Sequence, residues 1–441
     1  MHEDLRRRAL ESGKTVSRKA RTKAPSIAGS KTNSPAGSRA NSRVTSRNAS
    51  DDESEYSDTT QWSTNSLEDL LPEDDTPSEI WINELNERIG QITDRKRSSV
   101  QGREESLNAF SHILMAHYAA QHIRTRVSDL VTAILKSVKA GQTEGETVLA
   151  LKALALILVT EPSDHIYDSV AGSVKLVVTD SQHNPVKVAA IHTLGAAAFY
   201  GGASLGEMQE IMDFFLEIVA SDGHYVDAPD EADVVTAALE EWGFLATQVE
   251  EMEDASEEAM ESFVEQLESS HVNVQISAGE NIALLYEKSW TEREDDEEPP
   301  AKGDVDDDEE EDPTAANMVK RYTVYRQEHQ LVHLLESLSK VSSKRISKKD
   351  KKSLHTNFAD IANTVQHPTR GPRYNNAIDQ ETNKVYGSRM KVSIGKNTVA
   401  IDKWWKLIRL KSLRRILQGG FLIHYEDNEV VYDSLPLELD D

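Results

Sequence analysis

The sequence predicts an all-α protein: an armadillo/HEAT-like α-solenoid followed by a small, mostly helical C-terminal module and preceded by a disordered arm. The main observation is a helical pattern of apolar residues that recurs every 39 to 47 positions after about residue 100. A period of ~40–47 residues with two or three helices per repeat is typical of armadillo and HEAT arrays. A compact helical bundle needs no such period, so the solenoid is favoured.

The repeat pattern places helices and breakers in a regular order. Strongly apolar helices are predicted to begin near Arg103, Val148, Lys187, Val234 and Gln275. Partner helices are predicted between them, beginning near Val127, Ile166, Met208 and Ala259. The turns fall at Gly141, Pro162, the Asn184-Pro185 pair, the Gly201-Gly202 pair and Pro229.

Composition divides the 441 residues into four segments. Residues 1–79 are rich in Ser and Arg and then in acids, and they hold too few aliphatic residues to offset the cost of ordering, so we expect disorder. Residues 80–291 form the repeat domain. Residues 292–316 are an acidic, disordered linker, and residues 317–441 are the C-terminal domain with its basic segments.

The net charge of −27 averages over segments of opposite sign. Residues 1–50 hold 12 basic and 3 acidic residues, whereas residues 317–420 hold 22 basic and 7 acidic ones. Between Lys187 and Lys288 there are 22 acidic residues and no Lys or Arg. The acidic repeats indicate either simple solubility or a docking face for a basic protein surface. The basic C-terminal segment suits contacts with phosphates.

The basic arm contains Ser-Arg steps at a spacing of four, so that an arginine precedes each of three serines by three positions. These serines, Ser42, Ser46 and Ser50, are candidate phosphorylation sites, because phosphate would reverse the local charge. The alternative is a passive basic tail.

Several function classes are excluded or disfavoured by the residues present. The absence of cysteine excludes disulfides, thiol nucleophiles and cysteine-based metal sites. The chain shows neither a signal-peptide pattern nor an apolar stretch long enough for a bilayer, so we expect a soluble intracellular protein without membrane contact. Gly13-Lys14-Thr15 resembles the end of a phosphate-binding loop, but Arg8 stands where glycine is required. We therefore expect no enzyme, no metal and no cofactor.

The C-terminal segment predicts a helix over Gln330–Val341, a strand over Arg389–Ile394, and a helix over Lys403–Gln418 capped by Asp402 and ended by Gly419-Gly420. Residues 421–432 could form a hairpin, or a strand followed by a helix. The helix of 403–418 is apolar on two opposite sides, with basic residues between them. It is either packed on both sides, or it enters an RNA crevice with arginine and lysine on phosphates and tryptophan stacked on bases. Under the second interpretation the candidate RNA contacts are Lys344, Arg345, Lys348, Lys349, Lys351, Lys352, Lys403, Trp404, Trp405, Lys406, Arg409, Lys411, Arg414 and Arg415.

The same segment resembles a known family. The run Lys348–Ile361, then Met390–Gly395, Ile401-Asp-Lys-Trp404 and Ile416–Val430, is similar in order and type to the C-terminal domain of the interferon-related developmental regulators. The residues that carry the motif are Phe358, Ile401, Asp402, Trp404, Gly419, His424 and Asn428, and we expect structural roles for them.

The resemblance implies a non-enzymatic protein with armadillo-like repeats. Members of this family act as transcriptional co-regulators through co-repressor complexes, and they bind translationally inactive ribosomes through the C-terminal part. We therefore expect a monomeric, cytoplasmic regulator of translation that contacts ribosomal RNA and proteins through its basic C-terminal module. The alternative is a nuclear transcriptional co-regulator that binds co-repressor proteins in the groove of its helical repeats.

Overall fold

The protein is described by a computed structural model that covers residues 78–95, 98–294, 297, 317–340, 347–378, 385–394 and 397–436. Several predictions lie outside these described residues. They are the disordered arm with Ser42, Ser46 and Ser50, most of the acidic linker, and the candidate contacts Lys344 and Arg345.

All nine helices that the repeat pattern predicts are present. Seven of them begin two to six residues before the predicted positions, because the apolar pattern starts within the first two turns of the helix. The N-terminal part consists of α1 Ser78–Thr93, α2 Val100–Ala116, α3 Ala120–Ile123, α4 Val127–Ala140, α5 Glu144–Thr160, α6 Ile166–Asp180, α7 Asn184–Tyr200, α8 Leu205–Ala220, α9 Ala232–Ala246, α10 Glu253–Gln266 and α11 Val272–Lys288. None of the helices in the described ranges is long and apolar enough to cross a membrane.

The helices pack in consecutive pairs, as a solenoid requires. The strongly apolar helices, each in contact with the next, form what we call the A layer: α2, α5, α7, α9 and α11. Their partners form the B layer: α1, α4, α6, α8 and α10. Gly202 turns the chain between α7 and α8 with φ of +85°, and a Cβ there would lie 2.3 Å from the Asp164 backbone, so this turn needs glycine.

On either side of the acidic linker, β1 Trp290–Glu292 and β2 Met318–Lys320 form a two-stranded antiparallel ribbon. The chain then forms α12 Glu328–Ser339 and α13 Lys348–Gln366. These two helices pack on each other, and α13 packs on α11. Helices α12 and α13, which the sequence assigned to the C-terminal domain, thus form a further helix pair on the repeats, with α13 extending the A layer.

Two ribbons follow, β3 Tyr374–Ile378 with β4 Val385–Ser388, and β5 Lys391–Ile394 with β6 Asn397–Ala400. The predicted strand over Arg389–Ile394 is confirmed as β5. The predicted long helix is confirmed as α14 Trp404–Leu417. The hairpin and the strand expected at the start of residues 421–432 are wrong, because the short helix α15 Phe421–Asp427 forms there. The helix expected after the strand in the second alternative is confirmed as α16 Glu429–Ser434.

The helices α14, α15 and α16 cover the A layer. α14 contacts α5, α9 and α11, α15 contacts α2, and α16 contacts α5. This covering explains why α5 is apolar around its whole circumference: it lies between neighbours in its own layer, the B layer and the C-terminal helices. Gly420 permits the closest approach, since a Cβ there would lie 1.9 Å from the Met115 carbonyl oxygen of α2.

Candidate nucleic-acid interface

The basic side chains of α14 face acidic side chains of the A layer. Arg415 is buried and bonds Glu240 at 2.5 Å and Glu241 of α9. Lys411 lies 2.5 Å from Glu280 of α11. Lys406 is buried and pairs with Asp402 at 2.7 Å. The basic surface that docks on the acidic repeats is therefore, in this segment, the chain's own helix.

Glu241 is the most enclosed of these carboxylates. Its Oε1 also lies 2.9 Å from Nδ1 of His192, and a Cβ on Gly195 would overlap its Oε2 at 1.9 Å. Burial raises the pKa of Glu241 to about 7, against the lowering effect of Arg415. Burial, with Arg415 nearby, lowers the pKa of His192 to about 3. The cluster is thus a buried electrostatic contact and is closed to solvent.

Arg409 binds the end of α9. Its guanidinium donates to Thr247 Oγ1 at 2.9 Å, to the Thr247 carbonyl at 3.1 Å and to Gln248 at 2.8 Å. It also lies over the rings of Trp405 at 4.9 Å and Phe199 at 5.4 Å. A cation that satisfies the carbonyls at a helix C-terminus is favoured by the helix dipole. Arg409 and Trp405 are therefore used within the fold.

The first turn of α14 is held by a distant carboxylate. Glu287, at the end of α11, accepts hydrogen bonds from the backbone N–H groups of Trp404 at 2.7 Å and Trp405 at 3.2 Å. The predicted cap by Asp402 is wrong: Lys403 holds the cap position, and the Asp402 carboxylate binds Lys406 instead. Burial raises the pKa of Glu287 to about 7. The buried Trp404 indole donates to Thr364 of α13 at 2.8 Å, which leaves no ring face for a base.

Two motif residues donate hydrogen bonds to backbone carbonyls at the C-terminal ends of A-layer helices. His424 Nε2 donates to the Leu114 carbonyl of α2 at 2.7 Å, and Asn428 Nδ2 donates to the Val159 carbonyl of α5 at 2.9 Å. Both side chains are buried. The last carbonyls of a helix have no partner within it, so these donors supply what the helices lack. Periodicity alone did not reveal this capping.

The remaining motif residues also have places in the fold. Phe358 is fully buried at the close approach of α13 to Gly279 of α11. Ile401 is fully buried and donates its backbone N–H to the Met390 carbonyl at 2.9 Å. Gly419 lies exposed in the turn between α14 and α15. The candidate contacts Lys403 and Arg414 are half-buried, and Arg414 lies 5.8 Å from the centre of the Phe421 ring.

The basic residues at the start of α13 lie nearer the surface than the buried Lys406 and Arg415 of α14. Lys348, Lys349 and Lys352 are exposed, and Lys351 is half-buried. The helix begins at a local cap, where Ser347 Oγ accepts from the Asp350 N–H at 3.0 Å. Of the two candidate stretches, this one presents its charge to solvent.

Comparison with known proteins matches residues 45–366 to the model of the interferon-related developmental regulator family. This match covers well over half of the chain. The chain belongs to this family. A relative in Schizosaccharomyces pombe, an uncharacterized protein, is 27% identical over 349 residues, which are 78% of this chain and 72% of the relative.

The family match ends at Gln366, the last residue of α13. In this interferon-related developmental regulator, the matched region therefore ends where the stack of helix pairs ends. The helices α14–α16, with the residues that cap the A layer, lie beyond it. Within the described ranges, no group of three or more His, Asp or Glu could hold a metal ion.

Proposed function

We propose that this family member is a non-enzymatic, ribosome-associated regulator of translation that binds ribosomal RNA through the exposed start of α13. The observation that carries the proposal is the position of Lys348, Lys349 and Lys352 on the surface, at the end of an otherwise acidic array. Exposed lysines neutralise phosphates and release counterions, whereas Lys406 and Arg415 of α14 are buried. The family membership supports a regulatory role.

The alternative, a co-regulator that binds proteins in the repeat groove, finds less support. The A layer is covered by α14–α16, so a peptide would have to displace helices whose side chains cap α2, α5 and α9.

Sedimentation through sucrose gradients tests the proposal. We expect the tagged full-length protein to travel with ribosomal particles at ~50 mM salt and to dissociate steeply by ~200 mM. The variant K348E/K352E should move to the top of the gradient. The matched control K136E/K139E reverses two exposed lysines on α4 and should sediment like the unmodified protein. A full-length protein that stays at the top at low salt would contradict the proposal.

A further inference from the structure

The exposed residues of α13 lie on one side of the helix. At 100° per residue, Lys348, Lys352, His355, Ala359 and Gln366 fall within about 60° of one another, with Lys349 at the edge. The buried residues Leu354, Phe358, Ile361 and Val365 lie about 120° away around the helix. We call the exposed side the outer face of α13. It runs about 27 Å from Lys348 to Gln366.

The outer face contains no acidic residue, although α13 holds two. Asp350 and Asp360 lie off this face, and Asp360 is directed to Arg373 at 3.3 Å. By contrast, the exposed positions of α10 are acidic throughout, at Glu253, Asp254, Glu257, Glu258, Glu261 and Glu265. The outer face is thus a cationic and neutral strip on an acidic array, which fits a polyanion.

The outer face is also poor in rings that could stack on bases. Phe358 is fully buried, and the ring of His355 is tied to the Ser339 carbonyl by its Nδ1–H at 2.8 Å. Nearby, Tyr374 lies beneath Arg370 at 5.0 Å. Proteins that bind single strands depend on exposed aromatic rings. The strip instead offers ammonium groups at one end, and the amide of Gln366 with the hydroxyl of Thr356 further along.

We infer that the outer face of α13 binds the sugar–phosphate backbone of double-stranded RNA. This inference rests on the proposed function and names the form of RNA that is recognised. The helix fixes the spacing of the lysine residues along one face, so a duplex with ordered phosphates matches them at a smaller entropic cost than a flexible strand does. The neutral polar groups can bond 2′-hydroxyls, which RNA has and DNA lacks.

Fluorescence anisotropy with the full-length protein tests this inference. The probes are a 20-base-pair RNA duplex, one of its strands alone, and a DNA duplex of the same sequence, at ~100 mM salt. We expect the RNA duplex to bind at least ~10-fold more tightly than the single strand and several-fold more tightly than DNA. K348E/K352E should weaken duplex binding by ~10-fold or more and reduce the slope of log K against log salt by about 2, whereas K136E/K139E should change neither.

A second variant guards against misfolding. K348Q/K352Q adds no negative charge and should show a smaller loss of duplex binding in the same direction, and Q366A should reduce the preference for RNA over DNA.

Equal or tighter binding of the single strand, equal effects of the α13 and α4 variants, or no binding to any of the three probes would overturn the inference. If K348E/K352E nevertheless abolishes sedimentation with ribosomes, the proposed function stands and only the duplex assignment fails. If the unmodified protein does not sediment with ribosomes, the proposed function fails.

Discussion

Helices α13 and α14 are both rich in basic residues, yet they use them in opposite ways. α13 begins at its own Ser347 and presents Lys348, Lys349 and Lys352 to solvent. α14 begins at Glu287, a residue more than a hundred positions earlier, and its Arg415 and Lys411 bond acidic residues of α9 and α11. The comparison teaches that a positive segment of the sequence does not by itself indicate a polyanionic partner, because the fold can supply the acidic partners, as it does for α14.

The largest effect on the folded protein is expected when α14 is removed together with the helices that follow it. Deletion of residues 397–441 would uncover the A layer, including α5, which is apolar on all sides. Large exposed apolar patches lead to aggregation. We expect the truncated chain to be insoluble or to elute as aggregates in size-exclusion chromatography, whereas deletion of residues 437–441 should leave a monodisperse protein. A soluble truncated chain with unchanged helix content would show that the A layer does not need its cover.

Single alanine substitutions compare the two helices directly. Arg415→Ala leaves the buried Glu241 without its cation, and breaking a buried ion pair on one side costs about 3–5 kcal/mol of the free energy of unfolding. Lys352→Ala, on the exposed side of α13, should change it by no more than about 0.5 kcal/mol. Urea denaturation of both variants measures the difference. Similar losses in the two variants would contradict the distinction between a buried and an exposed basic helix.

The hydrogen bonds at the N-termini of α13 and α14 should differ in how their contribution to stability depends on pH. Burial raises the pKa of Glu287 to about 7 from its usual 4.5, so between these values the folded state binds more protons than the unfolded state. The contribution of this carboxyl to stability is therefore full below pH 4.5 and is lost as pH rises through 7. We expect the stability of the unmodified protein, relative to Glu287→Gln, to fall by at most about 3 kcal/mol from pH 5 to pH 8.

Ser347→Ala serves as the matched control for Glu287→Gln, because it removes a local cap that carries no titratable group. It should cost about 1 kcal/mol at every pH. Chemical denaturation at several pH values measures both variants. A parallel pH dependence for the two would show that the cap at Glu287 is not linked to protonation.

A local effect should come from the caps on the A layer. Asn428→Ala leaves the buried Val159 carbonyl of α5 without its donor, and such a loss costs about 1–3 kcal/mol. Tyr432→Ala, at a half-exposed position on α16, is the comparison. Hydrogen exchange should show faster opening at the end of α5 in the first variant only. Unchanged exchange at residues 157–161 would exclude a capping role for Asn428.

Much of this architecture could be read from the sequence because repeats depend on local patterns. The period of the apolar residues predicted every helix from Val100 to Lys288 except the four-residue α3, and Gly141 stands at the predicted end of α4. The prediction failed where the local pattern was ambiguous. Phe421-Leu-Ile-His-Tyr425 reads as a strand by composition, but it folds as a helix because His424 and Asn428, one turn apart, both reach the ends of A-layer helices.

Some of the candidate RNA contacts are exposed, on α13, and others are buried, on α14, and no local sequence pattern could show which. The sequence identified both basic stretches and left open whether the helix of residues 403–418 is packed or exposed. The acidic partners of Lys411 and Arg415 lie 131 to 175 positions away, among 22 acidic residues that look alike in the sequence.

By itself, then, the sequence determined the helical repeats, the absence of cysteine chemistry and the positions of the basic segments, because these follow from composition and from spacing within a few turns. Only the tertiary structure decided that Lys411 and Arg415 of α14 are bonded to acidic residues of α9 and α11, while Lys348, Lys349 and Lys352 of α13 lie exposed at the surface. The reason is physical: burial of a charge is settled by the carboxylates and helix ends that surround it, and here those groups come from distant parts of the chain.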